Sequence, residues 1–404
     1  MNEKLYSDAK QIIEYSINEV LPSKCMGKVL ANYSNPKGKT VLISIGKAAY
    51  TMAKETSSQI DIDEGLILTK YGHAGAPLKN IKTIEAGHPF PDENSIFGAN
   101  KAIEMCSNLS SDDVVIMLIS GGASSLFESP LIELKDLQFV NEQLIKCGAS
   151  INEINTIRKR LSKVKGGKFA KICEPAKVIN IVLSDVANNS LDVIASGPTY
   201  QDTSTLDDAL KVISKYDLHF NDNIISTIKN DTTLTINNVN TYIIANNENL
   251  KLAAKKKAEL LGYKVIYIKE PILFDIDKAV KYFKSLIKEY LNSDSSVCII
   301  SGGEIVINVT GNGMGGRNQE LACRLSEFIS NTNSCFFAVG SDGTDGPTDA
   351  AGAYVDKDNY NLEVYDYLKN NDSYSYLKKY DGLIKTGPTG TNVCDLYCAL
   401  LPKQ

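Results

Sequence analysis

At 404 residues, with 43% hydrophobic and 23% charged side chains, the chain is long enough for two domains with separate cores and too balanced for extended disorder. Its formal net charge of −5 argues against a nucleic-acid partner but permits basic pockets for small acidic molecules. No apolar run is long enough for a signal peptide or a membrane span, and nine scattered cysteines without a CxxC pair suit a reducing, cytoplasmic setting.

Residues 1–21 predict an amphipathic helix carrying charges throughout. Short two-sided apolar runs at 40–45, 65–69, 114–119 and 177–183 read as buried parallel strands. Helical patterns at 47–60, 94–107, 134–147 and 152–171 alternate with them. The alternation predicts an α/β fold, with a Rossmann-like, mostly parallel sheet in an N-terminal domain over 1–232. Residues 221–240, rich in Asn, Asp and Thr, read as the turn region before a second α/β domain over 240–404. There the pattern predicts strands at 241–245, 264–268, 297–301, 304–310 and 334–340, and helices at 248–261, 275–291 and 318–330. A final helix over 391–401 is free to pack on either domain.

Five stretches carry residues suited to chemistry. Residues 311–316 hold four glycines, and a helix follows at Arg317. Bare N–H groups of Gly313, Gly315 and Gly316 before a helix dipole suit an anion, and Arg317 adds a planar charged fork. Only four arginines occur in a lysine-rich chain, which raises the weight of each. Lys47 follows a strand and Gly46; it is either a solvated first-turn lysine or a partner for an anion at a helix start. Ser120, Gly121, Gly122, Ala123, Ser124 and Ser125 form either a second anion nest or a plain tight turn. That stretch is neither a Walker A loop nor a nucleophile elbow, and only His73, His88 and His219 exist as histidine bases. The basic helix around Arg158 is either a solvated surface or the lining of an anion pocket. Asp342, Asp345 and Asp349 lie on a glycine-bearing turn, and Asp185 follows a strand; they are either Asx-turn and cap residues or Mg²⁺ ligands. One competing pattern exists. Residues 311–316 satisfy G-x-G-x-x-G, with Asp342 as the acidic residue of a dinucleotide fold, and so admit a nicotinamide-dependent dehydrogenase.

Ordered motifs along nearly the whole chain resemble the glycerate 2-kinase family, whose members share a MOFRL C-terminal domain. They include IGKAAYTMA (45–53), TKYGH (69–73), EAGHPFPDENS (85–95), ISGGASSL (119–126), NTIRKRLSKVKGG (155–167) and VIASGPT (193–199). In the second half they include SGGE (301–304), GMGGRNQELA (313–322), GSDGTDGPTDAAGA (340–353) and TGPTGTNVCDL (386–396). The resemblance implies two α/β domains with the active site in the cleft between them, and ATP-dependent phosphorylation of the D-glycerate C2 hydroxyl with Mg²⁺. It assigns Lys47 and Arg317 as catalytic. It adds Gly302, Gly303 and Glu304 to the substrate or phosphate contacts, with Asp185, Asp342 and Asp345 as metal candidates. It implies small-molecule partners, no nucleic acid and no membrane, and leaves a homo-oligomer open.

Members of this family have sometimes been labelled hydroxypyruvate reductases, the activity that the G-x-G-x-x-G pattern would suggest. Two positions depart from the family. Arg160 stands where histidine is usual, and Ala187-Asn188-Asn189 replaces a common Gly-Asp pair after Asp185. The second change leaves open a non-catalytic ligand-binding protein.

Overall fold

The first sheet is built from β1 (Thr40–Ile45), β2 (Glu64–Lys70), β3 (Ile81–Ala86), β4 (Val114–Ile119), β5 (Lys177–Leu183) and β6 (Val239–Ala245). The computed structural model describes residues 2–186, 189–230 and 234–403. Strand order is β3-β2-β1-β4-β5-β6, and each pair from β3 to β5 is parallel. Every residue of β1 is buried, and β4 buries all but its first, so both sheet faces require cover. On one face Val41, Ile43, Val115 and Met117 share a core with Ala99 and Ala102 of helix Glu93–Cys106. A satellite core collects Leu137, Ile157, Ala209 and Ile224 from four further helices.

This unit spans Met26–Ile244. The stretch expected to separate the domains instead carries helix Asp222–Lys229, which buries Ile224 and Ile228 in the satellite core. The expected helix over 152–171 is interrupted. Helix Ile151–Arg160 ends, and Gly166 and Gly167 take left-handed φ values of 61° and 84° before helix Lys168–Ile172.

The second unit comprises Met1–Cys25 and Ala245–Gln404. Its strands are β7 (Lys264–Tyr267), β8 (Val297–Gly303), β9 (Cys335–Gly340), β10 (Gly352–Val355), β11 (Leu383–Ile384) and β12 (Asp395–Leu401), in the order β11-β10-β9-β12-β8-β7. β12 lies antiparallel between β8 and β9. The helix expected over 391–401 is therefore a central strand. All seven residues of β12 are buried, and such a short apolar run has no periodicity to separate the two states. Residues 304–310 form no named strand. β8 ends at Gly303, whose φ of 147° and close approach to the Ile272 backbone terminate regular pairing, while Val306 and Val309 are exposed.

Helix Glu3–Glu19 buries Leu5, Ala9, Ile12, Ile13 and Ile17 along one stripe. Residues 1–25 group with the C-terminal half, whereas the sequence alone assigns 1–232 to one N-terminal domain. The helix is pinned where the Tyr263 hydroxyl donates to Asp8 Oδ2 at 2.7 Å in a buried site. Among the described residues, no helix is long and apolar enough to cross a membrane. Replacing Tyr263 by Phe strands the buried Asp8 carboxylate. The expected loss is about 1–3 kcal/mol of stability, measured as a lower midpoint of denaturant unfolding.

Candidate functional site

In the first sheet β1 lies between β2 and β4, and the chain winds outward from it in opposite directions. Ligands in open α/β sheets gather beyond the carboxyl ends of strands at such a reversal. Two loops meet there. The Ser120 N–H donates to the Ile45 carbonyl at 3.0 Å, and the Lys47 N–H donates to the Gly121 carbonyl at 2.8 Å. The Ala48 N–H donates to Ser120 Oγ at 3.1 Å. Gly46 is required for this approach: its φ is 115°, and a Cβ there would sit 2.3 Å from Ser120 Oγ.

Both partly buried histidines of the chain belong to this corner. His73 Nδ1 lies 3.2 Å from the Lys47 carbonyl oxygen. Its loop is held by Glu85 Oε1, which accepts from the N–H groups of Gly72, His73 and Ala74 at 2.7, 3.1 and 3.1 Å. His88 stands against the bare face of Gly122; a Cβ there would lie 3.1 Å from its Nε2 and 3.3 Å from Lys47 Cγ. Lys47 and the 120–122 loop are thus brought together, with two histidines that motif reasoning counted only as available bases. The sequence signal for them was their place just after β2 and β3, where a parallel sheet presents its loops.

The hydroxyls of the loop are largely spent on itself. Ser120 Oγ bonds the β1 loop, Ser124 Oγ takes the Ser196 hydroxyl, and Ser125 Oγ donates to the Gly122 carbonyl. Below them the basic stretch turns inward. Lys165 Nζ pairs with Glu128 at 2.9 Å and donates to the Ser124 and Phe127 carbonyls at 2.8 and 3.0 Å, although burial pulls its pKa down. Lys168 donates to the Lys159 and Ser162 carbonyls, and burial lowers it to about 8. Arg160 caps the Ile228 and Asn230 carbonyls, and Arg158 Nε donates to Asn141 Oδ1 at 2.6 Å. Lys165, Lys168 and Arg160 of this stretch thus terminate backbone carbonyls inside the fold, whereas Arg158 pairs with a side-chain amide.

The second unit presents a different cluster. Arg317 opens helix Arg317–Ser330. It clasps Asp395 through Nε at 2.6 Å and Nη2 at 3.1 Å, and Glu304 through Nη1 at 2.5 Å. Burial opposes its charge, but the two carboxylates outweigh burial and push its pKa up. The glycine loop before it is already filled. Asn371 Oδ1 accepts from the Thr310 and Gly311 N–H groups, Asn370 accepts from Asn312 and Gly313, and Asp372 Oδ1 accepts from Met314. The Asn318 and Gln319 N–H groups at the helix start donate to the Asp345 carboxylate. An intrinsic carboxylate thus occupies the place where a dinucleotide pyrophosphate would bind.

Two family descriptions match the chain: "Domain of unknown function (DUF4147)" over residues 8–229 and "MOFRL family" over residues 297–395. The chain is 42% identical to a D-glycerate 2-kinase of Thermotoga maritima, with 99% of each covered. It is 39% identical to a glycerate 2-kinase of Pyrococcus horikoshii, with 91% of this chain and 88% of that protein covered. The chain belongs to the glycerate 2-kinase family. A crystal structure of glycerate kinase from Thermotoga maritima superimposes with a TM-score of 0.89 at 41% identity, covering 99% of this chain and 100% of that one.

Within this glycerate 2-kinase family member, several expected contacts take other roles. Gly313, Gly315 and Gly316 allow the loop to pack closely on Asp372, Ser373 and Asp345. Gly302 and Gly303 are β8 residues that admit Asn247 and the Ile272 backbone at close range. Glu304 holds Arg317. Asp345 does not fit a metal-ligand role. It is buried and saturated by donors from Asn318 and Gln319; burial pushes its carboxyl up to about 6, against the effect of those donors. Asp342 Oδ1 accepts from the Thr344 N–H and hydroxyl, an Asx turn. Asp185 follows β5, but the Ala187–Asn188 change beside it lies outside the described residues. Among the described residues, no group of three or more His, Cys, Asp or Glu is arranged to hold a metal ion.

Lys165→Met should remove the brace under residues 123–127 and leave Glu128 as an uncompensated buried charge. The expected cost is about 3–5 kcal/mol in urea unfolding, with much of it recovered by adding Glu128→Leu.

Proposed function

We propose that this protein transfers the terminal phosphoryl group of ATP to the C2 hydroxyl of D-glycerate, giving ADP and 2-phosphoglycerate. The observation that carries the reading is the corner where Lys47 meets the Ser120–Gly122 loop at the reversal point of a parallel sheet. Phosphoryl transfer needs positioning and charge neutralisation, and that corner offers a preset cation beside bare backbone. Lys47 holds the substrate carboxylate or the transferring phosphoryl group. Mg²⁺ accompanies the ATP phosphates; Asp185 in the first unit and Asp342 in the second are separate candidates to approach it, and no chemical step is assigned to the ion. The setting is cytoplasmic, a reading supported by nine free thiols.

Arg317 acts in a more constrained way than a bare cation. Its Nε edge is committed to the buried Asp395, while its Nη1 contact is to Glu304, whose side chain is 48% exposed and able to yield. Exchange of Glu304 for an incoming phosphate or carboxylate would keep the guanidinium paired throughout. The reductase reading is disfavoured because the amides of Gly311, Asn312, Gly313 and Met314 are bonded to Asn370, Asn371 and Asp372, and the following helix start is bonded to Asp345.

Purified protein with ATP, D-glycerate and Mg²⁺ should release ADP and 2-phosphoglycerate without NAD(P)H. NADH oxidation by hydroxypyruvate without ATP would reverse the assignment, and ligand binding with neither turnover would mark a non-catalytic protein. Another small 2-hydroxy acid giving a higher kcat/KM would move the substrate within the same class. Lys47→Met and Arg317→Lys are each expected to lower kcat about 100-fold or more, because each removes a cation or its planar geometry from the transition state. Near-normal turnover in either folded variant would remove that residue from the mechanism.

A further inference from the structure

We infer that Asp395 is a positioning residue for Arg317: it grips the guanidinium by one edge and thereby fixes the direction in which the rest of the head meets an anion. The inference rests on the kinase reading above and on the place given there to Arg317. An arginine side chain is long and flexible, and its planar head carries several N–H donors. A misplacement of about 1 Å in such a group can cost about 100-fold in rate.

The Nε and Nη2 donors of Arg317 close on the two oxygens of Asp395 at 2.6 and 3.1 Å. Two parallel bonds to two oxygens fix the plane of the head as well as its distance. Nη1 lies off that edge, where Glu304 accepts at 2.5 Å. Burial separates the two carboxylates. The Asp395 side chain is 2% exposed and that of Glu304 48%, with Arg317 between them at 32%. The head therefore bridges a closed side and an open one.

Asp395 is itself held in place. It begins β12, opposite Gly303 of β8 and Gly340 of β9. Neither neighbour carries a side chain to compete for the carboxylate, and a Cβ on Gly340 would already touch Asp395 Oδ1 at 3.5 Å. Tyr397, two residues on and so on the same face of the strand, donates its hydroxyl to Asp395 Oδ2 at 3.1 Å. The same hydroxyl accepts the Ile305 N–H at 3.2 Å. The backbone end of Arg317 is fixed too, since the next two N–H groups of its helix donate to Asp345. Origin, plane and direction of the side chain are thus each set by groups on the closed side.

The same helix supplies an internal comparison. Arg324 places Nε and Nη2 on a single oxygen of the buried Glu320, at 3.0 and 2.7 Å, and Nη1 on the exposed Asp277. One oxygen lets the head pivot, whereas the two of Asp395 do not.

The test follows ADP release from ATP and D-glycerate in folded Asp395→Asn, Arg317→Lys, the double variant and Glu320→Gln. Asp395→Asn keeps the side-chain volume but loses one acceptor for the guanidinium. Its kcat should fall about 100-fold while KM moves no more than about threefold. In the Arg317→Lys background the same change should cost no more than about threefold further, because lysine has no plane to orient. Glu320→Gln breaks the comparable buried pair; it should lower the unfolding midpoint while keeping kcat within about threefold. Should Asp395→Asn fail to fold, Tyr397→Phe removes the brace behind it, with an expected kcat loss of about tenfold. Near-normal kcat in folded Asp395→Asn, or in Tyr397→Phe where that variant stands in for it, overturns the inference. So does a further loss of about 100-fold in the Arg317→Lys background, or an equal loss in Glu320→Gln. A wild-type protein that makes no ADP from ATP and D-glycerate overturns the kinase reading itself, a separate outcome.

Discussion

The junction of β1 with β4 governs the first unit. Parallel pairing from Thr40 with Val114 to Ile45 with Ile119 delivers two loops to one place. The Lys47–Gly121 and Ala48–Ser120 hydrogen bonds then lock them. Gly46 is the constraint that makes the lock possible, since any side chain at its φ of 115° would collide with Ser120. Lys47, His73 and His88 occupy fixed positions because the backbone around them is already bonded. Little conformational entropy is left to lose when a ligand arrives.

A second theme is the use of cations as internal caps. Lys165 and Lys168 bond carbonyls that helix ends and turns leave without partners, and Arg160 does the same for helix Asp222–Lys229. Burying a charge is costly unless it is paired and hydrogen-bonded. Glu128 meets that condition for Lys165, and Asp202 meets it for Lys159. The same device appears with opposite sign at helix Arg317–Ser330, where Asp345 supplies the negative charge that a helix start favours.

The glycine loop shows why a local motif can mislead. Residues 311–316 have the spacing of a dinucleotide loop, yet each glycine makes room for a neighbour: Gly311 for Asn370, Gly313 for Asp372, Gly315 for Ser373 and Gly316 for Asp345. A missing side chain permits close approach by any group. Only the fold decides whether that group is a ligand or another part of the chain.

Sequence alone determined the two α/β layers, most strand and helix positions, the weight placed on Lys47 and Arg317, and the family. Hydrophobic periodicity and ordered motifs are local properties, and they survive without coordinates. Tertiary structure decided what depended on partners distant in sequence. It made Asp395–Leu401 a central strand, since a fully buried, mostly apolar run is committed by its neighbours β8 and β9. It sent helix Glu3–Glu19 to the C-terminal half through Tyr263, turned Asp345 from a metal candidate into a helix cap, and gave Arg317 two carboxylates in advance. It also brought His73 to Lys47 across 26 positions of chain, a contact that no spacing rule encodes because it arises from adjacent parallel strands.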